Sequence, residues 1–299
     1  MSTLTASAVD LPGGAVAVRD SGGDGPLVVF VHGVLVDGRL WDGVWPAVAA
    51  AGYRCVLPNL PLGAHRHALD PGADRTPLGQ ARRVAALIRA LGAERAVLVG
   101  NDSGGAICQL LAADDPDVVD RLVLTPADAL DHFPPAIFRP LPLIARSPRL
   151  LGAALWPLTR RPMRRLPGVF GWLSKRPIPD ALMDDWFDAL YGDPAVLRDA
   201  AGFVAPMKPR MTLDAAERLR TFPRPALMAW ATEDRFFPFS DGEKLASLIP
   251  QGRLVPIRDS YTFTPIDQPD ATAEAIVSFL RDTEQADPAP RLHRDAAAG

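Results

Sequence analysis

The stretch Val97-Leu-Val-Gly-Asn-Asp-Ser-Gly-Gly-Ala-Ile-Cys-Gln-Leu-Leu111 decides the fold of this chain. It begins as a short apolar run, typical of a buried strand, and then passes through glycine and small polar residues. It continues with Ile107, Leu110 and Leu111 at the spacing of one buried helix face. The stretch therefore predicts a strand that turns sharply into a helix.

Asp102 lies in the middle of this turn, with Gly100 and Gly104 two residues to either side. Small residues at these positions allow a strand-to-helix turn to hold one side chain exposed in a strained conformation. This is the spacing of a nucleophile elbow, with aspartate where the common motif has serine. The alternative is that Asp102 only caps the following helix. Ser103 fits the nucleophile position less well because its flanking positions, two residues to either side, are Asn101 and Gly105, and we expect it to begin the helix and line the cavity.

The composition fits a globular protein with a large core, since 48% of the 299 residues are hydrophobic and 22% are charged. A net charge of −3 argues against nucleic acid as the main partner. Cys55 and Cys108 are far apart in apolar segments, which indicates neither a disulfide framework nor a metal site. We expect a small-molecule substrate, no cofactor and no metal, and the sequence leaves the oligomeric state open.

The first residues of the chain and the length of its apolar stretches predict where in the cell the protein is located. Residues 1–10 lack the basic start and apolar run of a signal peptide, and no apolar stretch is long enough to cross a bilayer. We therefore expect a cytoplasmic protein without stable membrane insertion.

Apolar strand patterns alternate with helical patterns along most of the chain. A Gly-rich hairpin region at 1–25, with an edge strand at 15–18, is followed by predicted strands at 27–31, 53–57, 95–99, 121–124, 226–230 and 253–257. Helices are predicted at 39–51, at 76–92 with Thr76 as N-cap, and around 273–280. This alternation predicts an α/β protein with a mostly parallel sheet and helices on both faces.

The alternation stops after residue 124. Residues 132–179 contain ten prolines, nine arginines or lysines and no acidic residue, and prolines this frequent permit only short helices. We predict a helical lid at 130–221, a core formed by 1–129 and 222–283, and a disordered tail at 284–299.

Four features in order now resemble the α/β-hydrolase fold over roughly residues 10–283. Counting strands as in that fold, they are His32-Gly33 after the third strand (27–31) and the elbow after the fifth (95–99). The other two are the insertion after the sixth (121–124) and Glu233-Asp234 after the seventh (226–230). Aspartate at the elbow is similar to the branch of haloalkane dehalogenases and soluble epoxide hydrolases. In that branch the aspartate attacks carbon and forms an ester, and a histidine backed by an acid activates the water that releases it.

The resemblance implies roles for several residues. Asp102 matches the nucleophile and Asp234 the acid, while Asp128 is an alternative acid because some dehalogenases place it after the sixth strand. The backbone N–H groups of Val34 and Ser103 would form an oxyanion pocket. The side chain of His32 would brace its loop rather than react.

The usual histidine is replaced. In the loop Asp259-Ser-Tyr-Thr-Phe-Thr-Pro-Ile-Asp-Gln-Pro269, Thr262 falls where the family has histidine, and threonine does not accept a proton near neutral pH. The five histidines lie elsewhere, at His32, His65, His67, His132 and His293.

Two further departures bear on the reaction. Ser103 stands where the dehalogenases have a halide-binding tryptophan, and Val34 where they have asparagine. Epoxide hydrolases use two lid tyrosines, whereas only Tyr191 lies in this lid. Neither ordinary dehalogenation nor ordinary epoxide hydrolysis is therefore expected.

Three interpretations follow. In the first, the protein is a hydrolase of a small, largely apolar molecule, and another group supplies the base: His65 best, Asp259 or Tyr261 less well. In the second, Asp102 is the general acid or base of a lyase, isomerase or cyclase, with Thr262, Ser103 and Tyr261 orienting the substrate. In the third, the protein is inactive and only binds a ligand. By resemblance the first is the prediction.

The positive charge of the nine basic residues in the lid has three interpretations. A solvated outer face, with arginine stems covering apolar helices, is the simplest. Selection of an anionic substrate and weak contact with a membrane surface are the alternatives. The nine are Arg139, Arg146, Arg149, Arg160, Arg161, Arg164, Arg165, Lys175 and Arg176.

Overall fold

The computed structural model describes residues 3–286, including the side chains up to residue 284. Its centre is an eight-stranded sheet in the order β1-β2-β4-β3-β5-β6-β7-β8, in which β2 runs antiparallel to both of its neighbours, β1 and β4, and all other pairs are parallel. The strands are β1 (Thr5–Val9), β2 (Val16–Asp20), β3 (Leu27–Val31), β4 (Arg54–Asn59), β5 (Ala96–Asp102), β6 (Val119–Ala127), β7 (Ala226–Ala231) and β8 (Gly252–Ile257).

Helices cover both faces of the sheet. Those of the core are α1 (Trp45–Ala50), α2 (Pro77–Ala90), α3 (Ser103–Asp114), α11 (Phe239–Leu248), α12 (Thr264–Asp267) and α13 (Pro269–Ala286). Those between β6 and β7 are α4 (Leu141–Ile144), α5 (Pro148–Leu155), α6 (Arg161–Arg164), α7 (Phe170–Leu173), α8 (Asp180–Gly192), α9 (Pro194–Val204) and α10 (Pro209–Leu219).

The central strands are apolar because both of their faces are covered. Every residue of β3 and β6 is buried, and two hydrophobic clusters occupy the two sides of the sheet. The predicted architecture is confirmed: this is an α/β protein with a mostly parallel sheet, helices on both faces and a helical insertion between β6 and β7.

Local signals differed in how well they predicted the elements. The Thr76 side chain accepts a hydrogen bond from the Gly79 N–H and caps α2, as predicted. The single helix predicted at 39–51 is instead a 3₁₀ turn at Gly38–Trp41 followed by α1, where Pro46 lies in the first turn.

The edge of the sheet was predicted wrongly. The strand expected at 15–18 is β2, which lies inside the sheet because β1 pairs with its outer side. Thr5–Val9 is almost entirely exposed, so its sequence carries no burial pattern from which a strand could be predicted.

The lid segment contains helices and no strand between β6 and β7. In its proline-rich half the helices have four to eight residues, as the prolines predict, whereas α8 has 13 residues. The tail predicted at 284–299 begins inside α13, which continues to Ala286, and residues 287–299 lie outside the described part of the chain. Among the residues described, no helix is long and apolar enough to cross a membrane.

Candidate active site

Asp102 occupies the junction between β5 and α3 in a strained backbone conformation, with φ 53° and ψ −133°. A non-glycine residue at positive φ costs about 1–3 kcal/mol and is typically retained where function requires it. Its side chain makes no capping hydrogen bond to α3. The geometry is thus that of an elbow presenting its carboxylate, and the simple capping reading does not fit.

Two glycines allow the elbow to approach its neighbours. A Cβ on Gly104 would clash with the carbonyl oxygen of Val31, and a Cβ on Gly33 would clash with the Asp102 carboxylate. The carboxylate therefore lies directly on the backbone of Gly33, where only glycine fits without displacement.

Burial raises the pKa of the Asp102 carboxyl group, and the nearby Asp234 carboxylate adds to the rise. The backbone N–H groups of Ser103 and Val34 oppose both effects, and the resulting pKa is about 7. The two predicted oxyanion donors thus lie near the carboxylate of Asp102 itself.

Asp234 lies in the loop after β7 and accepts three hydrogen bonds. They come from the N–H groups of Phe236 and Phe237, both at 2.7 Å, and from the Thr262 hydroxyl at 3.2 Å. Burial raises the pKa of Asp234 to about 7 against these hydrogen bonds, and its Oδ2 has no partner in the described part of the chain. As whole residues Asp102 and Asp234 are partly buried, whereas Oδ2 of Asp234 is itself fully buried.

Thr262 is fully buried, and its loop is fixed to the elbow by Asn101. The Asn101 side-chain amide donates to the carbonyl of Thr262 at 2.7 Å and to the Thr125 hydroxyl at 2.8 Å. Threonine therefore contacts the acid at the place where the resemblance expects histidine. Sequence reasoning missed Asn101, for which a polar residue inside an apolar strand next to the elbow was the available signal.

Asp128, the alternative acid, binds Ser103 instead. The Ser103 hydroxyl donates to Asp128 Oδ2 at 2.8 Å, and both residues are buried. Burial and the charge of Asp102 raise the pKa of Asp128 well above its ordinary value. The pKa is therefore raised for three carboxyl groups at or near the elbow, those of Asp102, Asp128 and Asp234.

His32 braces its loop, as expected. The N–H of Leu60 donates to its Nε2 at 2.9 Å, and its Nδ1 lies 2.8 Å from the carbonyl of Gly33. Burial lowers the pKa of His32 to about 4, so the ring is neutral and Nδ1 is the donor.

His65 does not fit the role of substitute base. Gly63 N–H donates to its Nδ1 at 3.2 Å, and its Nε2 lies 3.3 Å from Asp199 in α9, a carboxylate that also binds Arg75. Because Nδ1 is engaged within its own loop and Nε2 joins the core to the lid, neither nitrogen is free to take a proton from water at Asp102.

The other histidines are also placed elsewhere. His132 Nδ1 lies 2.6 Å from Asp241 in α11, and His67 is exposed. His293 lies outside the described residues.

The remaining predicted polar groups have other partners. The Tyr191 hydroxyl donates to the carbonyl of Gly152 at 2.8 Å within the lid. The Tyr261 hydroxyl accepts from Arg235 at 3.1 Å, and Asp259 forms ion pairs with Lys175 and Arg176. These contacts make each a poor source of a base.

Aromatic side chains adjoin the acid on its lid side. Phe236, whose N–H binds Asp234, packs against Phe138 with ring centroids 5.2 Å apart and against Trp172 at 5.9 Å. An aromatic cluster of these three rings therefore lies beside the loop that carries Asp234. Within residues 3–286, no group of three or more histidine, cysteine or acidic side chains is placed to hold a metal ion.

Fold and site together define a protein of the α/β-hydrolase class. The family model described as alpha/beta hydrolase fold matches residues 26–269, and the chain belongs to this family.

Curated relatives include hydrolases of small organic acids. The chain is 26% identical over 262 residues to 2-hydroxy-6-oxo-6-phenylhexa-2,4-dienoate hydrolase of Comamonas testosteroni, covering 87% of this chain and 89% of the relative. It is 28% identical over 244 residues to 2-hydroxy-6-oxononadienedioate/2-hydroxy-6-oxononatrienedioate hydrolase of Burkholderia vietnamiensis, covering 80% and 81%.

Solved structures share the fold. A structure of DbjA aligns with a TM-score of 0.77 at 19% identity, covering 94% of this chain and 99% of that one. A meta-cleavage product hydrolase from Pseudomonas fluorescens IP01 aligns with a TM-score of 0.70 at 20% identity, covering 93% and 98%.

Proposed function

We propose that this protein hydrolyses a small, largely apolar organic molecule through an ester formed on Asp102. The observation that carries the proposal is the position of the Asp102 carboxylate directly against the backbone of Gly33, near the N–H groups of Val34 and Ser103. In an enzyme whose nucleophile is serine, such donors must be free for the carbonyl oxygen of the substrate. Here they lie near the carboxylate of the nucleophile itself, which suits an intermediate built on the protein's own carboxyl group.

The first step is attack by ionised Asp102 on an electrophilic carbon of the substrate. One carboxylate oxygen forms a C–O bond as the leaving group departs with its electron pair. The desolvated position of Asp102 favours this step, because burial makes the carboxylate a stronger nucleophile than it is in water.

The second step is attack by water on the carboxyl carbon of the ester. The negative charge that develops on the carboxyl oxygen is stabilised by the N–H groups of Val34 and Ser103. The C–O bond to that carboxyl carbon then breaks, the product leaves as an alcohol, and Asp102 regains a carboxylate with one oxygen from water.

Asp234 is the group proposed to take the proton from this water. Its pKa of about 7 suits a general base near neutrality, and its Oδ2 is unpartnered among the described residues. The Thr262 hydroxyl donates to the other oxygen, Oδ1, and so orients the carboxylate rather than accepting a proton. A carboxylate is a weaker base than histidine, so a slow second step is expected.

The aromatic contacts of Phe138, Trp172 and Phe236 beside Asp234 support an apolar substrate. The relatives that hydrolyse phenyl-bearing and dicarboxylic dienoates support small organic molecules in general. Their own reaction is not carried over, since the elbow here holds aspartate.

A second candidate function is a lyase, isomerase or cyclase reaction in which Asp102 moves a proton. Two neighbouring carboxyl groups with pKa values of about 7 favour it, because one acts as the acid while the other is the base. A protein that binds a ligand without turnover would show retention of the ligand and no product.

Intact-protein mass spectrometry after incubation with styrene oxide, an alkyl bromide or an activated ester tests the proposal. An adduct that maps to the peptide containing Asp102, and is absent from Asp102→Asn, is the expected result. Asp128→Asn is the matched control, because it removes a neighbouring carboxyl group and keeps an acceptor for Ser103. Unchanged turnover in Asp102→Asn would exclude Asp102 from the chemistry.

A further inference from the structure

The outward side of the first half of the lid is both basic and apolar. Among residues 3–286, five of the six large hydrophobic side chains that are clearly exposed come from residues 137–166. Leu143 is 66% exposed and Leu150 60% exposed, and arginines stand between them in the sequence. We call this the lid outer surface and define it as Ile137, Arg139, Leu143, Arg146, Arg149, Leu150, Trp156 and Arg160.

The arginines of this surface lack the carboxylate partners that the other lid arginines have. Arg161 and Arg165 form ion pairs with Asp180, and Arg164 pairs with Asp184. The ion pairs found within residues 3–286 include none of the four arginines of the lid outer surface, Arg139, Arg146, Arg149 and Arg160. The acidic residues of the lid thus neutralise one part of its positive charge and leave the other part free.

The exposed apolar groups are fixed in their outward position. On α5, Leu151 is buried, and Gly152 lies so close to Leu197 of α9 that an added Cβ would contact its side chain at 2.8 Å. This packing holds the opposite face of the helix, with Arg149 and Leu150, toward solvent. The Arg160 guanidinium lies 5.0 Å from the centroid of the Trp156 ring, which keeps a cation beside a half-exposed indole.

We propose that the lid outer surface docks on a membrane of anionic phospholipid. Unpaired arginines complement phosphate headgroups, while leucine and tryptophan side chains enter the boundary between headgroups and acyl chains. Charge complementarity selects this partner, since the surface carries four cations and no carboxylate between residues 132 and 179. Because no described helix is able to span a bilayer, the contact is peripheral.

Docking would bring the site close to the lipid. Phe138, next to exposed Ile137, packs inward on Phe236, and the N–H of Phe236 binds Asp234. Of these two neighbouring lid residues, Ile137 thus faces solvent and Phe138 packs at the wall of the site. An apolar substrate dissolved in the membrane would then have a short path to Asp102; this consequence rests on the proposed function, whereas docking itself does not.

Sedimentation with sucrose-loaded vesicles tests the proposal on the full chain. We expect binding to vesicles of phosphatidylglycerol and phosphatidylcholine at low salt, weaker binding at high salt, and little binding to phosphatidylcholine alone. Arg146→Glu combined with Arg149→Glu should weaken binding at least tenfold, given about fivefold for each basic residue at an anionic surface. The control is Arg210→Glu with Arg281→Glu, which changes the net charge equally at exposed positions outside the lid outer surface.

The apolar part of the surface has its own matched pair. Leu150→Ser should weaken binding by about tenfold, and Leu213→Ser, at a position 40% exposed on α10, should leave it unchanged. Circular dichroism and the thermal midpoint verify that each variant is folded.

Three results would overturn the proposal: no sedimentation at low salt, equal binding to neutral and anionic vesicles, or an equal loss of vesicle binding in the variants of the lid outer surface and in their controls. Binding that is specific for an acidic protein or for nucleic acid, with none to vesicles, would also overturn it. Asp102→Asn should bind vesicles as the wild type does, so failure of the proposed chemistry and failure of docking remain distinguishable.

Discussion

The Thr262 hydroxyl donates a hydrogen bond to Asp234 across 3.2 Å, so the acid that follows β7 is partnered by a threonine. A hydroxyl group in this position orients the carboxylate, but unlike an imidazole it does not accept a proton from water near neutral pH. The proton acceptor of the proposed second step is therefore Asp234 itself, and its pKa of about 7 is what makes the role feasible.

Thr262→Val should shift the pH dependence of turnover. The Thr262 hydrogen bond lowers the pKa of Asp234, so its removal raises that pKa and moves the acidic limb of the kcat profile to higher pH. Thr262→Ser keeps the hydroxyl and is the control. An unshifted limb in Thr262→Val would mean that Asp234 does not govern this step.

Thr262→His should accelerate release of the ester. The variant places an imidazole next to Asp234, and general base catalysis by a positioned side chain typically contributes about 10²–10⁴-fold. Pre-steady-state decay of the Asp102 adduct measures the effect. Thr262→Gln, which is of similar size and has no basic nitrogen, is expected to give no acceleration, and equal rates in both variants would contradict the argument.

Gly33→Ala should reduce turnover strongly while leaving the fold intact. The added methyl group clashes with the Asp102 carboxylate and displaces it from its two backbone donors, and a displacement of this kind costs on the order of a hundredfold in rate. Gly192→Ala, where an added Cβ meets nothing within 4 Å, is the control. The comparison is made on kcat, with thermal midpoints measured in parallel; a Gly33→Ala enzyme with normal kcat would show that the carboxylate need not stay in this position.

The stability of the protein should fall as pH rises from about 4 to about 7 through the contribution of Asp102. Its pKa is about 7 in the folded protein, against an ordinary value of 3.8, so in this window the native state binds more protons than the unfolded state. His32 acts in the opposite direction, because burial lowers its pKa to about 4 from 6.5. The contribution of Asp102 to the free energy of unfolding is therefore measured as the difference between the wild type and a variant that lacks the Asp102 carboxyl group.

Urea unfolding of the wild type and Asp102→Asn at pH 5 and pH 8 isolates this contribution. Asp102→Asn should gain free energy of unfolding relative to wild type at pH 8 and gain less at pH 5. Asp188→Asn, at an exposed position on α8, is expected to behave alike at both pH values. An equal gain for Asp102→Asn at both pH values would contradict a raised pKa for Asp102.

His65→Gln should leave turnover within a few-fold of wild type and lower stability. The side chain joins the core loop to Asp199 of the lid, and loss of a hydrogen bond to a charged group costs about 1.5–3 kcal/mol. Asp199→Ala should cost more, about 3–5 kcal/mol, because it also leaves Arg75 without its partner. A loss of turnover in folded His65→Gln, comparable to that in Asp102→Asn, would restore His65 as a catalytic candidate.

The sequence predicted most of the fold because the signals were local. The apolar run of β3, the Thr76 cap and the small residues around Asp102 each specify a short segment without reference to distant parts of the chain. The strand β1 was missed because its residues are exposed and its pairing with β2 is made by the backbone.

The site was less predictable because its partners come from separate loops. The spacing of the sequence motifs predicted the segments that carry Asp102, Asp234 and Thr262. It did not predict the hydrogen bond from Asn101 that fixes the Thr262 loop. The position of His65 depends on how the lid packs, and a buried carboxylate on α9 determines it. No periodicity in a proline-rich segment encodes that contact.

A single-turnover reaction in heavy-oxygen water tests the central claim most directly. Enzyme in excess over an epoxide or alkyl bromide that it converts is digested, and the mass of the peptide containing Asp102 is measured. If the ester forms and water attacks its carboxyl carbon, Asp102 gains one heavy oxygen and the first product carries none. Heavy oxygen found only in the product, with an unlabelled Asp102 peptide, would contradict an Asp102 ester and favour direct activation of water.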